Sequence, residues 1–319
     1  MTGPVVVEVS AGVFACEQPD GPRIIRQVVI AGGRAALVVD TGLPGSPAAG
    51  ILPLLGRLGV PPIVLLTHPD GDHVAGTGEV LAAHPDARVL AGAADLDLLG
   101  VPERAIRERY ARFATVDDVP FDEAMTARAR ERFGAGFATP EPVVDGLVLD
   151  LGDRSVELIA TPGHSAGHTA AWLAADGVLV AADAAMGRAI TDRAGLGFIP
   201  PMYAPPTTYR ATVARLAALD AQVLLTGHEP VMRGAAVGAF LAESAAAVDR
   251  LAALTAAAVT AGPATLMALC ARVHAAYGGL PDDRARDLAL AVDGHLADLV
   301  AAGRVRVEPG PPRVFGGMA

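Results

Sequence analysis

Over the first hundred residues, short apolar blocks alternate with polar positions and are bounded by Gly, Pro and Asp. Residues 5–9, 24–30 and 35–39 read as strands on that pattern, and the third ends in the corner Asp40-Thr41-Gly42. Residues 47–58 carry a helical pattern and 63–66 are four apolar residues that read as a buried strand. Another helix is predicted over 74–83 and a strand over 88–90. Residues 101–137 change character: Arg, Glu and aromatics recur at helical spacing with no β-run, which predicts a helical insert over one face of the domain. Strand patterns return at 155–159, 170–174, 178–181 and 223–225. The order β-rich, helical, β-rich, helical predicts two similar halves rather than a regular βαβ series.

From about residue 241 the period changes again. Leu266, Leu269, Cys270 and Val273 follow i, i+3, i+4, i+7, and Leu288, Val292, Leu296 and Leu299 do so more loosely. Arg304–Val307, the turn Glu308-Pro309-Gly310-Pro311 and Arg313–Phe315 then predict a hairpin. Helix, helix, hairpin is the pattern of a small winged helix, so the chain divides into domains 1–240 and 241–319.

Composition narrows the partners. The 319 residues are 52% hydrophobic, enough to bury a sizeable core, and 35 acids face 25 basic residues, all of them Arg, for a net charge of −10. Such a chain lacks the clustered cations of an extended nucleic-acid surface. The predicted recognition helix, residues 283–302, sets Arg284 and Arg286 against Asp283, Asp287, Asp293 and Asp298. Cys16 and Cys270 fit neither a disulfide framework nor a CxxC site, which points to a reducing compartment. Neither a signal peptide nor an apolar run of about 18 residues is visible. The expectation is a cytoplasmic protein that takes a small-molecule substrate, binds neither membrane nor nucleic acid, and forms a homo-oligomer at most.

Four histidines stand in loops directly after predicted strands. His68, Asp70, Asp72 and His73 share one loop, Thr67-His68-Pro69-Asp70-Gly71-Asp72-His73. His164 lies in Thr161-Pro162-Gly163-His164, Asp183 ends the run 178–182, and His228 follows Thr226-Gly227. Imidazole and carboxylate are ligands of borderline or hard divalent ions, and no thiol is nearby. Packing so many acceptors into one loop is unfavourable without a cation. Seven such groups could hold two metals with one carboxylate between them. Ser165 has no GxSxG elbow around it and is not read as a nucleophile.

These motifs, in this order, resemble the metallo-β-lactamase superfamily over about residues 5–235. The resemblance implies an αββα sandwich with the site along one edge of the two sheets. It implies His68 and His164 as ligands of a first metal, Asp72, His73 and His228 as ligands of a second, and Asp183 as the bridge. Asp40 matches a supporting Asp, and His168 is placed as a loop support. Where the family's HxHxDH loop has its second His, this chain has Asp70. As a ligand of the first metal, Asp70 would leave the pair of ions one charge less positive, make bound water less acidic, and tilt preference from zinc toward iron or manganese. The implied activity is a hydrolase in which hydroxide on two divalent ions cleaves a small ester, thioester or lactone, with Asp72 orienting the water. Two alternatives remain: a di-iron redox protein, which Asp70 favours, and a ribonuclease or nucleic-acid-binding protein working through the winged helix. Arg188, Tyr203 and Tyr209, together with the apolar stretch 198–205, are the expected substrate contacts.

Overall fold

The computed structural model describes residues 4–318. A first sheet of seven strands runs in chain order: β1 (Val5–Ser10), β2 (Val13–Asp20), β3 (Arg23–Ala31), β4 (Ala36–Val39), β5 (Pro62–Leu66), β6 (Arg88–Gly92) and β7 (Glu141–Val143). The first four form an antiparallel meander, and β4 to β7 pair in parallel. Parallel pairing requires long crossovers, and the helices of the chain fill them on one face.

The second sheet is built from β8 (Leu147–Asp150), β9 (Ser155–Ala160), β10 (Thr169–Leu173) and β11 (Val178–Ala182) as a second meander. A small ribbon of β12 (Ile190–Thr191) and β13 (Gly197–Ile199) interrupts the series. Next, β14 (Val223–Thr226) joins β11 in parallel, and β15 (Met232–Arg233) closes the edge.

The two sheets pack face to face through Val13, Val28, Ile30, Leu37 and Leu65 on one side and Leu158, Ala171, Leu173, Val180 and Leu225 on the other. Val29, Val38 and Val64, on the opposite face of the first sheet, pack against Ile51, Leu54, Leu55 and Val80. Ala170, Trp172, Leu179 and Leu224 pack against the helices Pro206–Ala217 and Ala235–Thr260. The layers are therefore α, β, β, α. Because both faces of β10 and β11 are covered, every residue in those strands is buried.

The expected boundary at residue 240 falls inside the 26-residue helix Ala235–Thr260. Beyond it come β16 (Ala264–Thr265), helix Leu266–Tyr277, a 3-10 turn Asp282–Leu288, helix Ala289–Ala301, β17 (Val305–Glu308) and β18 (Val314–Gly317), with sheet order β16-β18-β17. Thr265 caps its helix by accepting from the Ala268 amide. Leu266, Leu269, Val273, Val292 and Leu296 join the same apolar cluster as the outer face of the second sheet. The span 283–302, expected as one helix, opens instead as the 3-10 turn, because Asp282–Leu288 offers no apolar stripe before Leu288. Among the described residues, no helix is long and apolar enough to cross a membrane.

Candidate metal centre

Parallel pairing brings the site together. β4 and β5 are neighbours, so Asp40 and His68 leave the sheet side by side. Likewise β11 and β14 are neighbours, which delivers Asp183 next to His228. His164 comes from the loop between β9 and β10, and Asp72 and His73 sit on the single helical turn Gly71–Val74. Asp40 (φ 61°) and Ala182 (φ 42°) hold left-handed conformations that are costly for non-glycine residues. Both adjoin the site, where the surrounding hydrogen bonds fix them. At Gly227 an added Cβ would lie 2.5 Å from Asp183 Oδ1 and 2.8 Å from His73 Cε1. Any side chain there would fill the space between the candidate ligands.

Every candidate histidine is oriented from outside by its Nδ1. That atom meets Thr67 Oγ1 in His68 (2.9 Å), Asp40 Oδ2 in His73 (2.7 Å), the Met202 carbonyl in His164 (2.8 Å) and the Ile24 carbonyl in His228 (2.9 Å). A proton at Nδ1 leaves the Nε2 lone pair facing inward, the arrangement that metal-binding histidines need. Nε2 of His68 and of His73 is buried with no hydrogen-bond partner in the protein. Asp183 Oδ2 stands at the centre, 3.3 Å from His228 Nε2, 3.8 Å from His73 Nε2 and 4.0 Å from His68 Nε2. Three groups of donors lie close enough to share an ion: His68, His164 and Asp183; Asp72, His73 and His228; and Asp40, His68 and His73, the last with Asp40 already engaged by Thr67 and His73 Nδ1. Asp70 Oδ2 adjoins the first group, 2.9 Å from His164 Nε2 and 3.4 Å from His68 Nε2. The donor set is nitrogen and oxygen on buried side chains, and it fits two divalent ions.

The charges of these side chains are tightly coupled. Burial opposes a charge on His73, yet Asp40 and Asp183 outweigh it and push its pKa up to about 10. Asp183 is likewise held well below the usual carboxylate range, against its burial, by His228 and His73. His73 thus sits among anions and Asp183 among cationic side chains, a dense network of mixed charge. Arginines supply part of the charge. Arg109, from the helical insert, pairs with both oxygens of Asp70 and reaches His164 Nε2 at 2.8 Å. Arg23, at the start of β3, contacts Asp72 Oδ2 at 2.6 Å and His228 Nε2 at 3.3 Å. Asp20 ties Arg23 to Arg132. Sequence reasoning missed all three arginines, whose partners lie on other elements, 49 positions away for Arg23 and Asp72 and 39 for Arg109 and Asp70.

Asp40 accepts from the Thr67 amide and Thr67 Oγ1, both at 2.8 Å, and from His73 Nδ1, so it braces the corner behind His68 and His73. His168 bonds Thr161 Oγ1 at 2.7 Å and stacks on His68 at 5.1 Å. Three expected substrate contacts are placed elsewhere. Tyr203 and Tyr209 are fully buried and stacked at 4.4 Å, with Tyr203 bonded to His295 and Tyr209 to the Met186 amide. Arg188 donates to the Tyr277 and Gly278 carbonyls. Aromatic packing and backbone acceptors take these side chains away from the cavity. Phe198, Ile199 and Met202 of the 198–205 stretch do line it, in a space of about 460 Å³ beside the candidate ligands Asp70, Asp72, Asp183 and His228.

The model of the metallo-beta-lactamase superfamily matches residues 20–228, and the chain belongs to that superfamily. It is 29% identical over 231 residues to a hydroxyacylglutathione hydrolase of Acidiphilium cryptum, spanning 70% of this chain and 74% of that protein. A hydroxyacylglutathione hydrolase of Mesorhizobium japonicum is 38% identical over 100 residues, 30% of this chain and 34% of the relative, so the match spans about a third of its length. In three dimensions the chain is similar to a metallo-beta-lactamase family protein of Thermus thermophilus, with a TM-score of 0.75 and 24% identity over 98% of this chain and 100% of that one.

Proposed function

We propose that this chain is a metal-dependent hydrolase of small thioesters. The observation that carries the reading is the convergence of inward Nε2 atoms on Asp183, each ring tied back through Nδ1. The similarity to hydroxyacylglutathione hydrolases, whose named substrate is a thioester, supports the bond type.

His68, His164 and Asp70 would hold one ion, Asp72, His73 and His228 the other, with Asp183 between them. Divalent ions there would make water a nucleophile near neutral pH and polarise the scissile carbonyl. Asp72 stays ionised, because Arg23 and the neighbouring histidines outweigh its burial, and it accepts a hydrogen bond from the attacking water. Arg109 stays paired with Asp70 and, donating from Nη1 to the His164 carbonyl at 3.1 Å, positions the His164 loop. Phe198, Ile199 and Met202 exclude bulk water from the acyl group. Zinc suits the histidines, and Asp70 makes iron or manganese competitive. The C-terminal strand order and helices support a winged-helix-like unit, which we read as part of the pocket wall rather than as a DNA reader.

Purified protein should carry about two equivalents of divalent metal by elemental analysis and hydrolyse acyl thioesters faster than p-nitrophenyl esters or lactones. His228→Ala should lose metal and at least about a hundredfold in kcat/KM, on the scale of a lost metal ligand, while its circular dichroism is unchanged. A metal-free wild-type protein that hydrolyses thioesters at full rate would sink the proposal.

A further inference from the structure

The cavity beside the candidate metal ligands has the opposite charge to the protein around it. Six arginines and five aspartates line it, whereas the chain as a whole carries 25 arginines against 35 acids. Three of those aspartates, Asp70, Asp72 and Asp183, belong to the candidate metal centre, so divalent ions would consume their charge and leave the arginines in excess. A cationic hole in an acidic protein focuses field lines and concentrates small anions.

The arginines of the outer wall are built for contact. Arg284 and Arg286 come from the C-terminal 3-10 turn, and Arg112 from the helical insert. Arg284 lies over Phe198, its Cζ 4.0 Å from the ring centre, and Arg286 over Phe121 at 5.4 Å. Stacking pre-sets the plane of each guanidinium and lowers the entropy cost of binding an oxyanion. The carboxylate nearest both is Asp287, 3.3 Å from Arg284 and 4.0 Å from Arg286, with Asp283 at 3.7 Å from Arg284 on its outer, exposed side. Nε of Arg284 and Nε of Arg286 are buried without a hydrogen-bond partner in the protein. Arg112 is exposed and forms no ion pair among the described residues. Apolar surface from Phe113, Ile199 and Leu290 shares the cavity with these groups.

We infer that Arg112, Arg284 and Arg286 form a subsite for an oxyanion, a carboxylate or phosphate, carried by the substrate at the end remote from the scissile bond. The C-terminal segment then supplies specificity directly. The inference rests on the thioesterase reading only for the bond that is cleaved, not for the anion.

Three thioethers that cannot be hydrolysed test it by titration calorimetry on the metal-loaded, full-length protein: (methylthio)succinate, 2-(methylthio)ethyl phosphate and neutral 2-(methylthio)ethanol. At least one anion should bind tenfold or more tightly than the alcohol, with affinity falling as salt rises. The tighter of the two tells carboxylate from phosphate. Arg284→Ala/Arg286→Ala should bring that margin toward one while metal content holds. Arg112→Glu, at an exposed position, should also reduce it and covers the case in which the double variant misfolds. Equal binding of all three ligands, or a margin that survives both variants because the anion sits on the metals, overturns the inference. Anion binding without thioester cleavage would sink the thioesterase reading alone. Cleavage without any charge preference would do the reverse.

Discussion

Asp70 is the residue at which this chain parts from the superfamily's usual loop, and the structure gives it two partners to satisfy. Its Oδ2 lies among the inward donors of His68 and His164, and both its oxygens take the Arg109 guanidinium. Arg109 holds the carboxyl well below its ordinary range although burial works against the charge. Removing the carboxylate should therefore do two separable things. Asp70→Ala should release about one equivalent of metal, and it should strand Arg109 as a buried cation at a cost of about 3 kcal/mol. Adding Arg109→Met should restore the melting temperature but not the lost metal. If the single variant keeps two equivalents, Asp70 serves Arg109 only. The seven-residue loop made these candidate ligands legible, because their types and spacing are local in the sequence. Arg109 and Arg23 were not legible, since their meaning depends on partners that only the folded chain brings near.

Elements with unbroken apolar runs were equally plain in the sequence. β4, β5, β10, β11 and β14 fall within two residues of the predicted runs, because strands covered on both faces must be apolar throughout. β2 was missed: its second half, Glu17-Gln18-Pro19-Asp20, carries polar residues to the site edge and breaks the pattern. β7 and β8 are short, half-exposed and stabilised by pairing rather than by their own composition. The helix Ala289–Ala301 supplies a case in which one element depends on pH. His295, on this helix, bonds Tyr203 Oη at 2.9 Å and is buried. Burial, helped by Arg210, pushes its pKa from 6.5 down to about 4. Between those values the unfolded chain binds more protons than the folded one, so stability is complete above about pH 6.5 and falls as pH drops toward 4, by up to about 3 kcal/mol. Denaturant midpoints of the wild type and His295→Gln at pH 7 and pH 4.5 measure it. The wild-type advantage should shrink at the lower pH; an advantage of equal size at both would mean that His295 folds protonated.

At the scale of the whole molecule, one apolar cluster runs from the outer face of the second sheet into the C-terminal helices. Truncation after residue 262 would uncover Val248 and Leu251 on one side of that cluster and delete Leu266, Leu269, Val273 and Leu296 on the other. The shortened chain should aggregate or self-associate in size-exclusion chromatography, although every candidate metal ligand lies upstream. A monomeric, soluble fragment with full metal content would show the last helices to be dispensable for folding. The cavity itself is assembled from distant stretches: the start of β3, the insert around Arg109 and Phe113, the Phe198–Met202 loop and the turn bearing Arg284 and Arg286. Three of these touch candidate ligands: Arg23 reaches Asp72 and His228, Arg109 reaches Asp70 and His164, and the Met202 carbonyl holds His164 Nδ1. The turn stacks its arginines on Phe198 and Phe121 instead. Floor and wall can consequently mutate at different tempos. The C-terminal turn can be rewritten while the His and Asp loops stand still, whereas the insert is bound to them, because its Arg109 braces Asp70 and His164.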